Sequence, residues 1–268
     1  MMETQNMKRY RLGIAVWGFT SVIFFSFLLI PLLVLVAVSF NPTAMVFPPQ
    51  GFTLRWYMAI LEKTDFLRAA GASTTIAILT AMISTSVGVL AAIGLHHMSG
   101  QLRGLIQNLL LSPLFFPAVI VALAIFQILM MTGTMTNLAI LVGAHAVVTL
   151  PYPVRNVIAQ LSGYDQRLEE AALTVGATPR QALVRVTLPL LKASIIPSFI
   201  VVFVLSWNNY TVSVFLANSD WTTLPLQLRA YLQYEYEPFV AAMSTILILL
   251  SALLLFVVNR ISHSTAKA

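Results

Sequence analysis

Glu170, Ala171 and Ala172 are followed by three residues, then Gly176, then nine residues, then Val186-Thr187-Leu188-Pro189. These types at these spacings suit contact rather than catalysis. Two alanines let another surface approach closely, and the Glu170 carboxylate can pair with a basic group on a partner or stabilise the start of its own helix through the helix dipole. A second constellation is Ser206-Trp207-Asn208-Asn209-Tyr210 in an apolar stretch. Side-chain amides donate and accept hydrogen bonds, and the neighbouring ring and phenol could face a small ligand. The blander reading is that the asparagines bridge helices. His145 is an isolated imidazole that reads as an interhelical hydrogen-bond partner, and His145 with nearby serines is too little for an intramembrane enzyme. His96-His97 suits a helix C-terminus. Further ligands that would make a metal site are missing. The phosphate-binding sequence G-x-x-x-x-G-K-[ST] is absent, so any nucleotide chemistry has to come from another chain.

The elements that hold the first constellation can be read locally. Asp165 caps a helix beginning at Gln166, and Gly176 is suited to the C′ position because it accepts positive φ. Thr178 as N-cap, Pro179 at N1 and Gln181 at N3 make a capping box for a second helix. Pro189 is expected to end that helix and open the next segment. The loop therefore reads as helix, glycine hinge, helix.

The surroundings are a membrane. Of the 268 residues, 59% are hydrophobic and 9% charged, against roughly 25% charged in soluble domains, and the mean hydropathy is +0.87. A crossing needs about 20 apolar residues. Stretches free of Asp, Glu, Lys and Arg predict six helices, over 12–40, 69–95, 106–131, 136–160, 191–216 and 238–259. Thr132-Gly133-Thr134 reads as the turn between the third and fourth. Pro113, Pro117, Pro151 and Pro153 read as kinks in them. With the N-terminus inside, Lys8, Arg9, Arg11, Arg103, Arg155, Arg167, Arg180, Arg185, Lys192, Arg260 and Lys267 are cytoplasmic, leaving Arg55, Lys63, Arg68 and Arg229 outside. That bias predicts cytoplasmic N- and C-termini. The pI of about 9.8 then reflects topology and not nucleic-acid binding. The basic start and apolar run to Phe40 are longer than a signal peptide's core and read as a retained first helix. Without cysteine there is no disulfide or thiolate site. The outer segment from Asn41 to Arg68 contains a proline-glycine turn and a short helix at about 54–62, with Trp56 and Tyr57 suited to the membrane interface.

The spacing from Glu170 to Pro189 resembles the EAA motif of the membrane subunits of bacterial ATP-binding-cassette importers, with Val186 for the usual isoleucine. Phe47-Pro48-Pro49 through Trp56-Tyr57, and Thr222-Thr223-Leu224-Pro225, are similar to the second permease component of spermidine/putrescine-type importers. The resemblance covers essentially the whole chain. It implies an all-α, six-helix type I importer permease, one transmembrane domain over 1–268 with a core at 69–259 and a coupling loop at about 161–190. It implies that Glu170, Ala171, Ala172, Gly176, Leu188 and Pro189 transmit the motion of the ATPase. Implied partners are a second homologous permease, two ATPase subunits that bind ATP and Mg, and a periplasmic or lipid-anchored binding protein, in a bacterial inner membrane. No cofactor is implied in this chain. The family commonly carries acids where this chain has Asn208 and Asn209. A cation wants a carboxylate partner, so Trp207, Asn208, Asn209 and Tyr210 are expected to line a route for a polyamine or a related, less cationic amine or aminophosphonate. The rival class, an ATP-independent channel or secondary transporter, wants ionisable residues inside its spans and no docking knob.

Overall fold

The structure is a computed structural model that describes the backbone of residues 2–163, 165 and 167–265, and the side chains of 16–163, 165, 167–257 and 260. The side chains of Lys8, Arg9 and Arg11, and residues Gln166 and Lys267, lie outside the described residues, so the orientation and the expected helix start at Gln166 rest on sequence at those points. The described secondary structure is helical. The chain divides into two compact units, residues 1–63 with 234–249, and residues 64–233 with 250–268.

In the first unit, α1 (Met2–Val38) is followed by an ordered connecting segment and α2 (Arg55–Glu62). Asn41 is buried and organises that segment. Its Nδ2 donates to the carbonyls of Ala44 and Val46, and its Oδ1 accepts from the N–H of Gln50. Trp56 Nε1 donates to the Asn41 carbonyl at 2.7 Å, Tyr57 Oη and Ser39 Oγ share a hydrogen bond of 2.6 Å, and the Arg55 guanidinium sits over the Trp56 ring. Trp56 is therefore an internal lock of this segment. A buried indole N–H needs an acceptor, and the chain supplies one of its own. Exposed apolar groups here include Phe47, Phe52, Leu54, Met58 and Leu61.

The second unit is built on α3 (Thr64–His96), α4 (Gly100–Leu111), α5 (Ala118–Thr132), α6 (Leu138–Thr149), α7 (Pro151–Leu161), α8 (Arg167–Thr174), α9 (Pro179–Ala182), α10 (Leu188–Trp207), α11 (Tyr210–Leu216) and α12 (Leu224–Tyr231). The last helix, α13 (Phe239–Thr265), belongs partly to each unit. Among the described residues four helices are long and apolar enough to cross a membrane, namely Val16–Val38, Thr64–His96, Pro179–Trp207 and Phe239–Val257. The count reaches six when two bent pairs are each taken as one span. The third expected span is not one kinked rod. The segments Gly100–Leu114 and Ala118–Thr132 meet at 98°, because Pro113 and Pro117 each remove a backbone donor and clash with the preceding turn. The fourth bends by 42° at Leu150–Pro151, a milder consequence of the same chemistry. Gly133, at φ +66°, ends α5 as the glycine turn between these spans.

Helices surrounded by lipid gain little from burying apolar surface against one another, so close approach and hydrogen bonds must hold them. The inward face of α3 is accordingly small. Ala69, Ala72, Ser73, Ala77, Ala81, Ser84, Gly88 and Ala92 are all buried. At Gly88 the approach is tightest: a Cβ there would lie 2.7 Å from Pro153 Cγ and 3.2 Å from the Val154 nitrogen. Two apolar clusters flank this contact. One joins Ile76, Leu141, Val142 and Val212, the other Val89, Ala92, Val157, Leu161 and Leu191.

Gly88→Ala is expected to lower the stability of the detergent-solubilised protein by about 1–3 kcal/mol, the usual cost of overpacking. Gly94→Ala, where a Cβ meets nothing within 4 Å, is expected to leave it unchanged or raise it. Thermal melting of the two variants checks this, and equal melting midpoints would refute the close-packing account.

Candidate functional site

The loop between α7 and α10 is the best-capped segment of the chain. Asp165 Oδ1 accepts from the N–H of Arg167 at 3.0 Å, which starts α8. At its other end Gly176 adopts φ +93°. The Gly176 N–H bonds the Leu173 carbonyl and the Ala177 N–H bonds the Ala172 carbonyl, both at 3.0 Å. This is the paired pattern of a Schellman end, which needs a left-handed residue at that point. Thr178 then opens α9 with a full capping box: its Oγ1 accepts from the Gln181 N–H, and Gln181 Oε1 accepts from the Thr178 N–H.

The expectation at Pro189 is corrected. Pro189 does not end the second loop helix. Residues 183–187 form a π-turn in which the Leu188 N–H reaches the Leu183 carbonyl five residues back, and the helix continues as α10. A proline deprives the carbonyl four residues earlier of its donor, and widening the turn re-aims that part of the ladder. The result is one 29-residue helix from Pro179 to Trp207, with its first turns in the loop and its last within the bundle.

Ala171 and Glu170 are exposed on α8, Ala172 is half-buried, and Pro189 is exposed at the root of α10. Leu188 packs against the cluster of Val157, Leu161 and Leu191. Sequence reasoning missed Glu169. Its Oε2 accepts from Thr187 Oγ1 at 3.1 Å, tying α8 back onto the π-turn. With Glu169 turned inward, Glu170 is the outward carboxylate. It lines an open cavity of about 530 Å³ with His96, Arg103, Asp165 and Arg167.

The second constellation is divided by the structure. Trp207 is buried, and its Nε1 donates to Thr74 Oγ1 of α3 at 3.1 Å. Asn208, the exposed residue at the break after α10, donates from Nδ2 to the Val204 carbonyl. Asn209 caps α11, its Oδ1 accepting from the Val212 N–H at 2.9 Å. Tyr210 is 38% exposed. The capping role of Asn209 carried a signal, since asparagine followed by an apolar helical run is an N-cap sequence. His145 Nδ1 shares a 2.8 Å hydrogen bond with Ser206 Oγ, which meets the expectation of an interhelical partner on one of its two nitrogens. Among the described residues no group of three or more His, Asp or Glu could hold a metal ion.

The described chain is helical, with several helices long and apolar enough to cross a membrane, and comparisons with known proteins give its class. Residues 84–267 match the family of binding-protein-dependent transport system inner membrane components, and the chain belongs to that family. It is similar to the spermidine/putrescine transport system permease protein PotC of Escherichia coli K12, at 28% identity over 250 residues, 93% of this chain and 94% of that protein. It is also similar to the putrescine transport system permease protein PotI of the same strain, at 29% identity over 247 residues, 89% of this chain and 85% of that protein. Its fold matches a bacterial ABC transporter that imports the acidic polysaccharide alginate, with a TM-score of 0.75 at 18% identity over 93% of this chain and 96% of that one. It also matches that transporter in complex with an alginate-bound periplasmic protein, with a TM-score of 0.66 at 19% identity over 98% and 96%. The chain is thus an all-α inner-membrane permease component and not an enzyme.

Thr187→Val is expected to cost about 1–3 kcal/mol, because it leaves the part-buried Glu169 carboxylate without its donor. The exposed Glu170→Gln is expected to change stability by less than about 0.5 kcal/mol. Chemical denaturation of both variants checks the assignment of the inward and outward carboxylates. Equal losses would overturn it.

Proposed function

We propose that this chain is the membrane-spanning subunit of an ATP-driven importer for a small organic amine of the polyamine class or a close relative of it, and that the loop from Glu170 to Pro189 is its contact with the ATPase. The observation that carries the reading is the unbroken helix from Pro179 to Trp207. A capped knob on its end gives any displacement of the loop a stiff lever into the bundle, and a flexible connector would not. The exposed face of Glu170 and Ala171 is the docking surface, Gly176 sets the angle between the loop helices, and Leu188 with Pro189 forms the root. Family membership and the names of the similar permeases support a complex with a second homologous permease, two ATPase subunits binding ATP and Mg, and a solute-binding protein on the outer side. The Lys/Arg asymmetry supports cytoplasmic termini and a cytoplasmic loop. The ATPase cycle does work on cargo only if the two states of the permease bind it differently.

Glu170→Lys is expected to abolish ATP-dependent uptake in vesicles reconstituted with the whole complex while the chain still inserts. A single cysteine at the exposed Val175, in this cysteine-free chain, is the control for insertion. It should resist a membrane-impermeant thiol reagent in intact cells and react in inside-out vesicles. Wild-type uptake by Glu170→Lys would remove the coupling assignment, and labelling of position 175 from outside would reverse the orientation.

For the cargo route, Asn208 and Tyr210 are the exposed members of the second constellation, with Asn209 holding the break between α10 and α11. We infer that amides here suit a solute less cationic than spermidine. The double change Asn208→Asp with Asn209→Asp retains an oxygen that can cap α11 and places a carboxylate at the exposed position. Competitive uptake with the binding protein held constant should then shift several-fold toward polyamines. An unchanged cargo profile would assign the asparagines to helix architecture alone.

A further inference from the structure

Helix α3 and the α6–α7 pair run in the same direction with a constant register. Thr149 Oγ1 donates to Ser84 Oγ at 3.3 Å across 65 residues of sequence. One turn further on, Gly88 meets Pro153 at the same offset. At the same offset of 65, one turn in the other direction, stand Thr80 and His145. Both residues are fully buried. The Oγ1 of Thr80 and the Nε2 of His145 are enclosed, and neither makes a hydrogen bond to another described residue. The other ring nitrogen of His145 is engaged with Ser206 near the end of α10. Thr149, one turn from His145, is satisfied by the His145 carbonyl at 2.8 Å. So at one level of one helix pair there are two unspent polar groups, and one of them belongs to a ring already bonded to the long helix.

Polar groups buried inside a membrane protein are costly to leave without partners. These two are chemically complementary, since a hydroxyl both donates and accepts and a neutral imidazole has one nitrogen of each kind. We propose that His145 is a positioning residue of the transport cycle that exchanges hydrogen bonds between Ser206 on α10 and Thr80 on α3. In the conformation described here Nδ1 holds Ser206 and the Thr80 arm is open. When the coupling loop carries α10 away as a rod, Ser206 leaves, and the accompanying shift of α6 against α3 brings Nε2 onto the Thr80 hydroxyl. One hydrogen bond is lost and one is gained, and the ring serves both without moving a proton. The exchange passes the displacement of α10 to α3. It also keeps the polar cost of the two conformations close, which a reversible cycle requires.

This proposal rests on the importer reading, and the test separates the two. Thr80→Val removes the hydroxyl at nearly constant volume. Because that hydroxyl has no partner here, the melting midpoint of the purified complex should stay or rise, while ATP-dependent uptake in reconstituted vesicles falls about tenfold. His145→Asn keeps a polar atom near the Nδ1 position and removes the Nε2 arm. It should slow uptake similarly, and the double variant should be no slower than the slower single one. Ser206→Ala should lower the melting midpoint instead, since it breaks the bond made in this conformation. Wild-type uptake by Thr80→Val, a melting midpoint that falls in parallel with its uptake, or losses that multiply in the double variant would each overturn the exchange. If the wild-type complex itself shows no ATP-dependent uptake, the importer reading fails. The melting arm still decides then, because destabilisation by Thr80→Val would give its hydroxyl an ordinary structural role.

Discussion

Everything in the second unit hangs on the continuity of the helix from Pro179 to Trp207. Its length is what allows a surface in the loop and a break deep in the bundle to be parts of one rigid body. The hydrogen bonds to its neighbours are spaced along it. Glu169 holds Thr187 at the root, Gln160 Nε2 donates to the Leu190 carbonyl, Asn156 Nδ2 donates to Ser198 Oγ, His145 meets Ser206, and Trp207 meets Thr74. In a lipid-embedded bundle, where apolar contact with a neighbouring helix is little better than contact with lipid, such pins and small-residue contacts decide which helices stay together. The rod is thus pinned to α8, α7, α6 and α3 in turn, and it cannot move without each of those contacts being carried along or exchanged.

The loop was legible in the sequence because its rules are local. A threonine three residues before glutamine, with proline between them, specifies a capping box wherever it stands. A glycine after a short helix specifies a left-handed end, and the observed φ of +93° at Gly176 follows. The charge-free stretches likewise located the four long apolar helices and the two bent pairs. What failed was local reasoning about proline. Pro189, read as a helix stop, lies inside a continuous helix, whereas Pro113 and Pro117, read as kinks, stand at a sharp break. At 183–187 a π-turn absorbs the missing donor because packing of Leu183, Leu188 and Leu191 holds both halves against α7 and α3. At 112–117 two prolines in six residues leave too few donors to carry the helix across, and the axis turns by 98°.

Candidate residues were legible by type but not by direction. Two adjacent glutamates on a short helix point about 100° apart, so only the fold distinguishes Glu169, bonded inward to Thr187, from Glu170, facing out. The direction of Trp56 was hidden for a related reason: a buried indole N–H needs an acceptor, and only the fold shows that here it is the Asn41 carbonyl. The level shared by Thr80 and His145 was invisible in the sequence, because an offset of 65 residues depends on how the intervening helices α4 and α5 return the chain.

The break between α10 and α11 obeys the same constraint. Interrupting a helix inside a bilayer frees backbone groups that must be satisfied again within the protein. The N–H groups of Asn208 and Asn209 are taken by the Val204 and Ser206 carbonyls, and the Asn209 side chain takes the N–H of Val212. Trp207 spends its indole N–H on Thr74. The architecture thus consumes Trp207, Asn209 and these backbone donors at the break. The side chains of Asn208 and Tyr210 remain on the exposed side, and the Asn208 carboxamide oxygen is an acceptor not used by its bond to Val204. In the cargo route proposed above, the neutral amide of Asn208 would hold an amine more weakly than an acid would. Weak holding is what a translocation route needs, since a site in the path has to release what it receives.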